Sequence, residues 1–244
     1  MHDGISLNSK AIEVVENLSA NSKKIVFLSN APRPSFKVVE FLKRLKMSDK
    51  FLSQVITSGE AAMHAINENK FGNKFYHLGP PRDQSLFEKA IKNKTSLDKC
   101  DFIVCTGLFD YQEDDLNYYK ELLKDHVAKK LVCTNPDLIV HRGNKEELCA
   151  GSIAKTFELL GGEVMYYGKP YKEIYEMCFH KGEKVLAIGD NLRTDIKGAN
   201  NLNIDSLFVY SGVHRNEIKN IDDLPALLKK YNVKTNFFQK ELNW

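Results

Sequence analysis

The chain has 244 residues, 43% of them hydrophobic, which suffices for one large core or two smaller ones. Its 35 basic and 32 acidic residues leave a formal charge of +3 mixed along the chain, too weak an imbalance to make an electrostatic case for nucleic acid or an anionic membrane as partner. The five cysteines (Cys100, Cys105, Cys133, Cys149 and Cys178) are odd in number, with no CxxC pair and no zinc-ligand spacing; no apolar run is long enough to span a bilayer, and the opening MHDGISLNSK has no apolar signal core, so a cytoplasmic protein without disulfides is expected.

In chain order, Ile12, Val15 and Leu18 share one helical face, followed by Lys23 and Lys24. The run IVFLS at 25–29 is continuously apolar and stops at Asn30, the pattern of a strand buried in a parallel sheet. A helix is predicted over 36–45, a short strand (QVIT) over 54–57 and a further helix from Gly59. Strands at 75–78, 101–105 and 131–134 then alternate with helices at 85–93, 113–125 and 153–160. A strand at 164–167, a helix at 171–181, the strongly apolar strand KVLAI at 184–188, a short helix at 194–200, a strand at 206–209 and a helix at 224–230 follow. This alternation predicts an α/β fold with a mostly parallel sheet. The aromatic tail, Phe237, Phe238 and Trp244, is expected to dock on the body.

Ligands of open α/β sheets bind beyond the carboxyl ends of the strands, so the residues that follow each apolar strand are the candidates. Ser29 and Asn30 offer a hydroxyl and an amide to a phosphate oxygen, although Ser-Asn ahead of Pro32 is also an ordinary turn. Lys169 sits between Gly168 and Pro170 at a strand end, where a fixed ammonium neutralises anions; the alternative is a solvated surface lysine. The segment IGDNLRTDIKGA at 188–199 is the most specific. It carries Asp190 at a strand end and Asp195 near a helix start, carboxylates of the kind that suit Mg²⁺; the alternative is a turn residue and a helix cap.

The order Ser29, Lys169, Asp190 and Asp195, each after a strand, resembles motifs two, three and four of the haloacid dehalogenase (HAD) superfamily. TNPD at 134–137, Gly151 ahead of a helix and then GKP resemble its class IIA, or NagD-like, branch, and the resemblance covers essentially the whole chain. It implies a Rossmann-like core with a parallel sheet in two parts, 1–58 and 165–244, and an inserted α/β cap of the C2 type at 59–164. It also implies an Mg²⁺-dependent phosphatase of small phosphorylated metabolites, in which an aspartate receives the phosphoryl group and water releases it. On that resemblance Ser29 and Asn30 hold phosphoryl oxygens, Lys169 pairs with nucleophile and phosphate, Asp190 binds Mg²⁺ and Asp195 supports the site. Cap loops, Asn135 to Asp137 or the Arg142-Gly143 turn, are expected to contribute to substrate choice.

The family's nucleophile lies in a DxDG-type motif after the first strand. MHDG aligns just downstream of that motif, so the nucleophile and its strand are expected before Met1, with His2 and Asp3 as loop residues near the site. Met1 itself has no carboxylate. A sheet lacking that strand is expected to expose two strand edges, and residues 1–244 alone are expected to be inactive. A non-catalytic remnant or phosphometabolite-binding module on the same scaffold is the competing reading. A plain nucleotide binder is disfavoured, because no GxGxxG follows the first strand and no GxxxxGK[ST] occurs.

Overall fold

The computed structural model describes residues 1, 5–142, 145–218 and 220–244, and the side chains of all of these but 141 and 142. Helix α1 (Ser9–Ala20) begins where the Asn8 side chain accepts the Ala11 N–H at 3.0 Å. It buries Ala11, Val14 and Val15, so only Val15 of the expected face lies at its centre. Strand β1 (Phe27–Ser29), helix α2 (Ser35–Arg44), strand β2 (Val55–Thr57) and helix α3 (Ser58–Asn67) follow, and β1 pairs in parallel with β2, Phe27 opposite Val55. The Thr57 hydroxyl caps α3 by accepting the Glu60 N–H at 3.1 Å.

The middle of the chain forms its own layer. Its elements are β3 (Phe75–Leu78), β4 (Phe102–Cys105), α4 (Leu116–Leu123), β5 (Lys130–Cys133), β6 (Ile139–Arg142), β7 (Lys145–Leu148), α5 (Ala150–Leu159) and β8 (Val164–Tyr166). A parallel sheet runs in the order β3-β4-β5-β8, and β6 and β7 form an antiparallel hairpin. All four residues of β4 are buried, as expected of a strand covered on both faces. Tyr119 from α4 and Ile153, Ala154 and Phe157 from α5 pack fully buried on one of those faces.

The chain then continues with α6 (Lys172–Glu176), β9 (Leu186–Gly189), α7 (Lys197–Leu202), β10 (Asp205–Val209), α8 (Leu224–Tyr231) and β11 (Phe237–Gln239). Here the parallel order is β11-β10-β9. Among the described residues β1 pairs only with β2, and β9 only with β10. The two strands still run near one another: Lys24, before β1, reaches Glu183, before β9, at 3.7 Å. Although β9 belongs to one of the most apolar stretches of the sequence, Leu186 is 46% and Ile188 38% exposed.

The α/β class and the parallel pairing agree with the sequence reading. Two predicted helices differ, and two further features were not expected. The helix expected at 85–93 is replaced by tight 3-10 turns at Pro81–Phe87 and Ile91–Asn93, where packing of Phe87 on Phe75 (ring centroids 4.7 Å) overrides helix propensity. The helix expected at 171–181 covers only Lys172–Glu176, and the chain turns at Gly182 with φ +96°. The β6–β7 hairpin and β11 carry no apolar alternation and are not legible. The tail docks through the backbone, Phe237 pairing opposite Leu207, while Phe237 and Trp244 remain more than half exposed. The five cysteines are free and buried, and no described helix is long and apolar enough to cross a membrane.

Helix α5 contains an internal comparison. Phe157→Ala is expected to destabilise the protein by about 3–5 kcal/mol, and Leu159→Ala, at a site 79% exposed, by less than about 0.5 kcal/mol, in urea unfolding.

Candidate active site

The polar residues that end β1, β5, β8 and β9 meet at one place, because all four strands direct their carboxyl ends toward it. Asn30, directly after β1, is buried, and its amide grips the backbone of Lys169: Oδ1 accepts the Lys169 N–H at 2.7 Å and Nδ2 donates to the Lys169 carbonyl at 3.1 Å. In this structure Asn30, expected as a phosphate ligand, therefore fixes the lysine. Among the described residues Ser29 Oγ accepts only the Ala31 N–H, at a long 3.2 Å.

Lys169 follows Gly168, whose φ is +122° and where a Cβ would lie 2.6 Å from Asn30 Oδ1 and 2.8 Å from the Ser58 Cβ. Glycine there is required both by the backbone and by the close approach. The Lys169 ammonium donates to Asp195 Oδ1 at 2.6 Å, with both side chains at most 15% exposed. The other oxygen of Asp195 accepts the N–H groups of Asp190 (3.2 Å) and Asn191 (3.1 Å). A Cβ at Gly189 would lie 2.2 Å from Asp195 Cγ, so the strand must end on glycine for the carboxylate to fold back over it. Asp195 thus ties the end of β9 to Lys169 in place of capping a helix.

Asp190 Oδ2 accepts the Val213 N–H at 3.0 Å. Burial raises its pKa, repulsion from Asp195 adds to this, and Lys169 partly offsets it. Asn135 and Asp137 arrive from the end of β5. The Asn135 side chain accepts the Asp137 N–H at 3.0 Å, an Asx turn that aims Asp137 at the core. There Asp137 accepts from Asn191 Nδ2 at 3.1 Å. Burial pushes its pKa up to about 6, against the pull of Lys169 and with the push of Asp195. For Lys169 burial acts downward, but Asp195, Asp137 and Asp190 outweigh it and hold the ammonium above its ordinary value.

Three carboxylates therefore share one ammonium, a surplus of negative charge that suits a bound cation. Among the described residues no group of three or more metal-ligating side chains converges. Mg²⁺ does not need one, since it takes one or two carboxylates and completes its shell with water and phosphate oxygens. Among the described residues Asp190 has an oxygen left for that purpose, whereas both oxygens of Asp195 are engaged. Asn191 and the 212–214 turn, which the sequence reading did not single out, complete the surroundings; Asn191 follows Gly-Asp directly, but nothing in the local sequence marks the turn. His2, Asp3 and Gly143, and the Arg142 side chain, lie outside what the structure describes.

Two family models match the chain: one described as haloacid dehalogenase-like hydrolase over residues 1–90, and one described as HAD-hydrolase-like over residues 166–230. The chain is 24% identical over 229 residues to the ribonucleotide monophosphatase NagD of Escherichia coli (strain K12), covering 92% of this chain and 88% of that protein. Among solved structures it resembles a haloacid dehalogenase-like hydrolase from Brucella suis 1330 (TM-score 0.86, 27% identity, 99% of this chain and 91% of that one). It also resembles a 4-nitrophenylphosphatase from Thermotoga maritima (TM-score 0.71, 26% identity, 99% and 90%).

The raised pKa of Asp137 has a stability consequence. A carboxyl raised from 3.8 to about 6 on folding favours the folded state most below pH 3.8, and the contribution is lost as pH rises through 6. Asp137→Asn is therefore expected to stabilise the cation-free protein by roughly 2–3 kcal/mol at pH 7.5, a gain that disappears near pH 4. Urea unfolding at the two pH values checks this; an equal effect at both would remove burial of the charge as the cause.

Proposed function

We propose that this chain, which belongs to the haloacid dehalogenase-like hydrolases and their NagD-like branch, is the greater part of an Mg²⁺-dependent phosphatase of small phosphorylated molecules. The observation that carries the reading is the buried Lys169–Asp195 pair, set at the strand ends beside Asp190 and Ser29. In it Lys169 binds the phosphoryl group, held in place by Asn30 and Asp195. The lightly engaged Ser29 hydroxyl donates to a phosphoryl oxygen. Asp190 would hold the cation, which when bound offsets negative charge on the phosphate and its acceptor. Residues 1–58 and 165–244 are read as the core and 59–164 as the cap, with Asn135 and Asp137 as its contribution to the site.

The reading requires a nucleophilic carboxylate, and we assign it to a strand seated between β1 and β9 and supplied by chain preceding Met1. Two observations support that assignment: the edges of β1 and β9 that are unpaired among the described residues, and the exposure of Leu186 and Ile188. Residues 1–244 without such a strand are expected not to turn over.

The test is p-nitrophenyl phosphate hydrolysis with Mg²⁺, comparing residues 1–244 with a form extended by the preceding coding sequence. Activity is expected only in the extended form, reduced about 10²-fold or more by Asp190→Ala and by Lys169→Met. Activity of residues 1–244 alone would overturn the assignment of the nucleophile. Inactivity of the extended form would favour a binding module on the same scaffold.

A further inference from the structure

The loop that carries Asp190 is held from behind by a network that the reading above does not use. His214 is fully buried, and both of its ring nitrogens are engaged. Leu192 donates its backbone N–H to Nε2 at 3.0 Å, and Nδ1 faces Glu217 Oε1 at 2.6 Å. An amide N–H can only donate, so Nε2 must present a lone pair; a carboxylate only accepts, so Nδ1 carries the hydrogen. The two contacts together specify one neutral tautomer. Glu217 is itself fixed by the Tyr231 hydroxyl at 2.8 Å and by Lys230 at 2.5 Å. Arg193 donates to the Tyr231 oxygen at 2.8 Å and lies over its ring, 4.7 Å from the centroid.

This chain of contacts grips the 190–195 loop at two adjacent residues, Leu192 and Arg193. The residue before His214 grips it at a third: Val213 N–H holds Asp190 Oδ2 at 3.0 Å. The turn approaches so closely that a Cβ at Gly212 would lie 2.0 Å from that oxygen. His214 and Asp190 are therefore linked twice, through Val213 on one side and through Leu192 on the other.

We propose that His214, oriented by Glu217, is the positioning residue of the 190–195 loop: its Nε2 acceptor sets where Leu192, and with it the Asp190 carboxylate, stands. The proposal rests on the assignment of Asp190 to the cation. Groups that hydrogen-bond a metal ligand directly influence metal affinity about 10- to 100-fold, and His214, acting through the Leu192 and Val213 backbone, is expected at the lower end of that range.

The experiment compares His214→Phe, which removes the acceptor, with His214→Gln, which restores one near Nε2. Leu227→Ala serves as control, loosening the apolar cluster that buries the Leu192 side chain without touching the ring's hydrogen bonds. Mg²⁺ titration calorimetry on the intact protein is expected to show Kd about tenfold weaker for the Phe variant, within about threefold of wild type for Gln, and unchanged for the control. Nitrogen NMR of the wild-type ring is expected to show the Nδ1–H tautomer, and hydrogen exchange at the Leu192 amide is expected to accelerate in the Phe variant. An Nε2–H tautomer, a Phe variant that binds like wild type, or a Gln variant as weak as Phe would each overturn the proposal. If wild type binds no Mg²⁺, the assignment of Asp190 falls instead, and Leu192 exchange decides for His214: acceleration supports it and no change overturns it.

Discussion

The Lys169 ammonium is the charge around which the site is arranged. Asp137, Asp190 and Asp195 come from different parts of the chain and all act on it. Unit charges about 4 Å apart interact by roughly 4 kcal/mol at an effective dielectric of 20, so removing the lysine would leave three carboxylates in mutual repulsion with little water to screen them. The geometry around the pair follows from this. Glycine at 168 and 189 lets the backbone close to within contact of Asn30 and Asp195, which a side chain at either position would prevent. The Asn30 amide then locks the lysine backbone at both its N–H and its carbonyl.

The same place is where the sheet is least complete. The four-stranded sheet from β3 to β8 buries its central strands, and Ile103, Val104, Leu131 and Val132 are inaccessible to solvent. The strands that deliver Ser29 and Asp190 have the opposite character: β1 is nowhere fully buried, and β9 exposes its two largest side chains. Parallel edges that bear leucine and isoleucine, unpaired among the described residues, are an aggregation hazard unless another strand covers them. Their tethers are electrostatic and polar, Lys24 with Glu183 at one end and Asn30, Lys169 and Asp195 at the other. Site geometry and sheet pairing are thus one problem: whatever separates β1 from β9 must break either the Asn30–Lys169 or the Lys169–Asp195 contact.

What the sequence made legible follows from a single rule. Ser29, Lys169 and Asp190 could be found because each stands at the end of an apolar strand, and Asp195 because a helix start follows within a few residues. Strand type and order were readable for the same reason, since buried parallel strands are continuous apolar runs. The direction in which a side chain faces was not readable. Asn30 reads as a free amide at a strand end, yet its partner lies 139 residues away. Asp137 reads as one residue of an unspecific TNPD, and only the Asx turn made by Asn135 shows that it points at the core. The helix expected at 85–93 failed because Phe87 is held by Phe75, a contact that periodicity does not encode.

His214 is the extreme of that limit, and its illegibility has a physical reason. Asp190 and Asp195 project toward the same site, and their repulsion is among the causes that raise the pKa of Asp190. A loop bent by that repulsion tends to open away from the lysine. Its own hydrogen bonds resist only in part: Asn191 accepts the Arg193 N–H, and Asp195 accepts two amides, but each of these lies within the loop and moves with it. Restraint must come from an element that does not move with the loop. The turn after β10 supplies it, with an amide on Asp190 and an imidazole lone pair on Leu192. A neutral ring suits this position because a second positive charge is not needed beside Lys169, whereas an acceptor for a buried N–H is. Burial favours that neutral form over the charge that Glu217 would otherwise promote. Lys169 and the buried His214 therefore act on the loop from opposite sides, one by charge and the other by a lone pair.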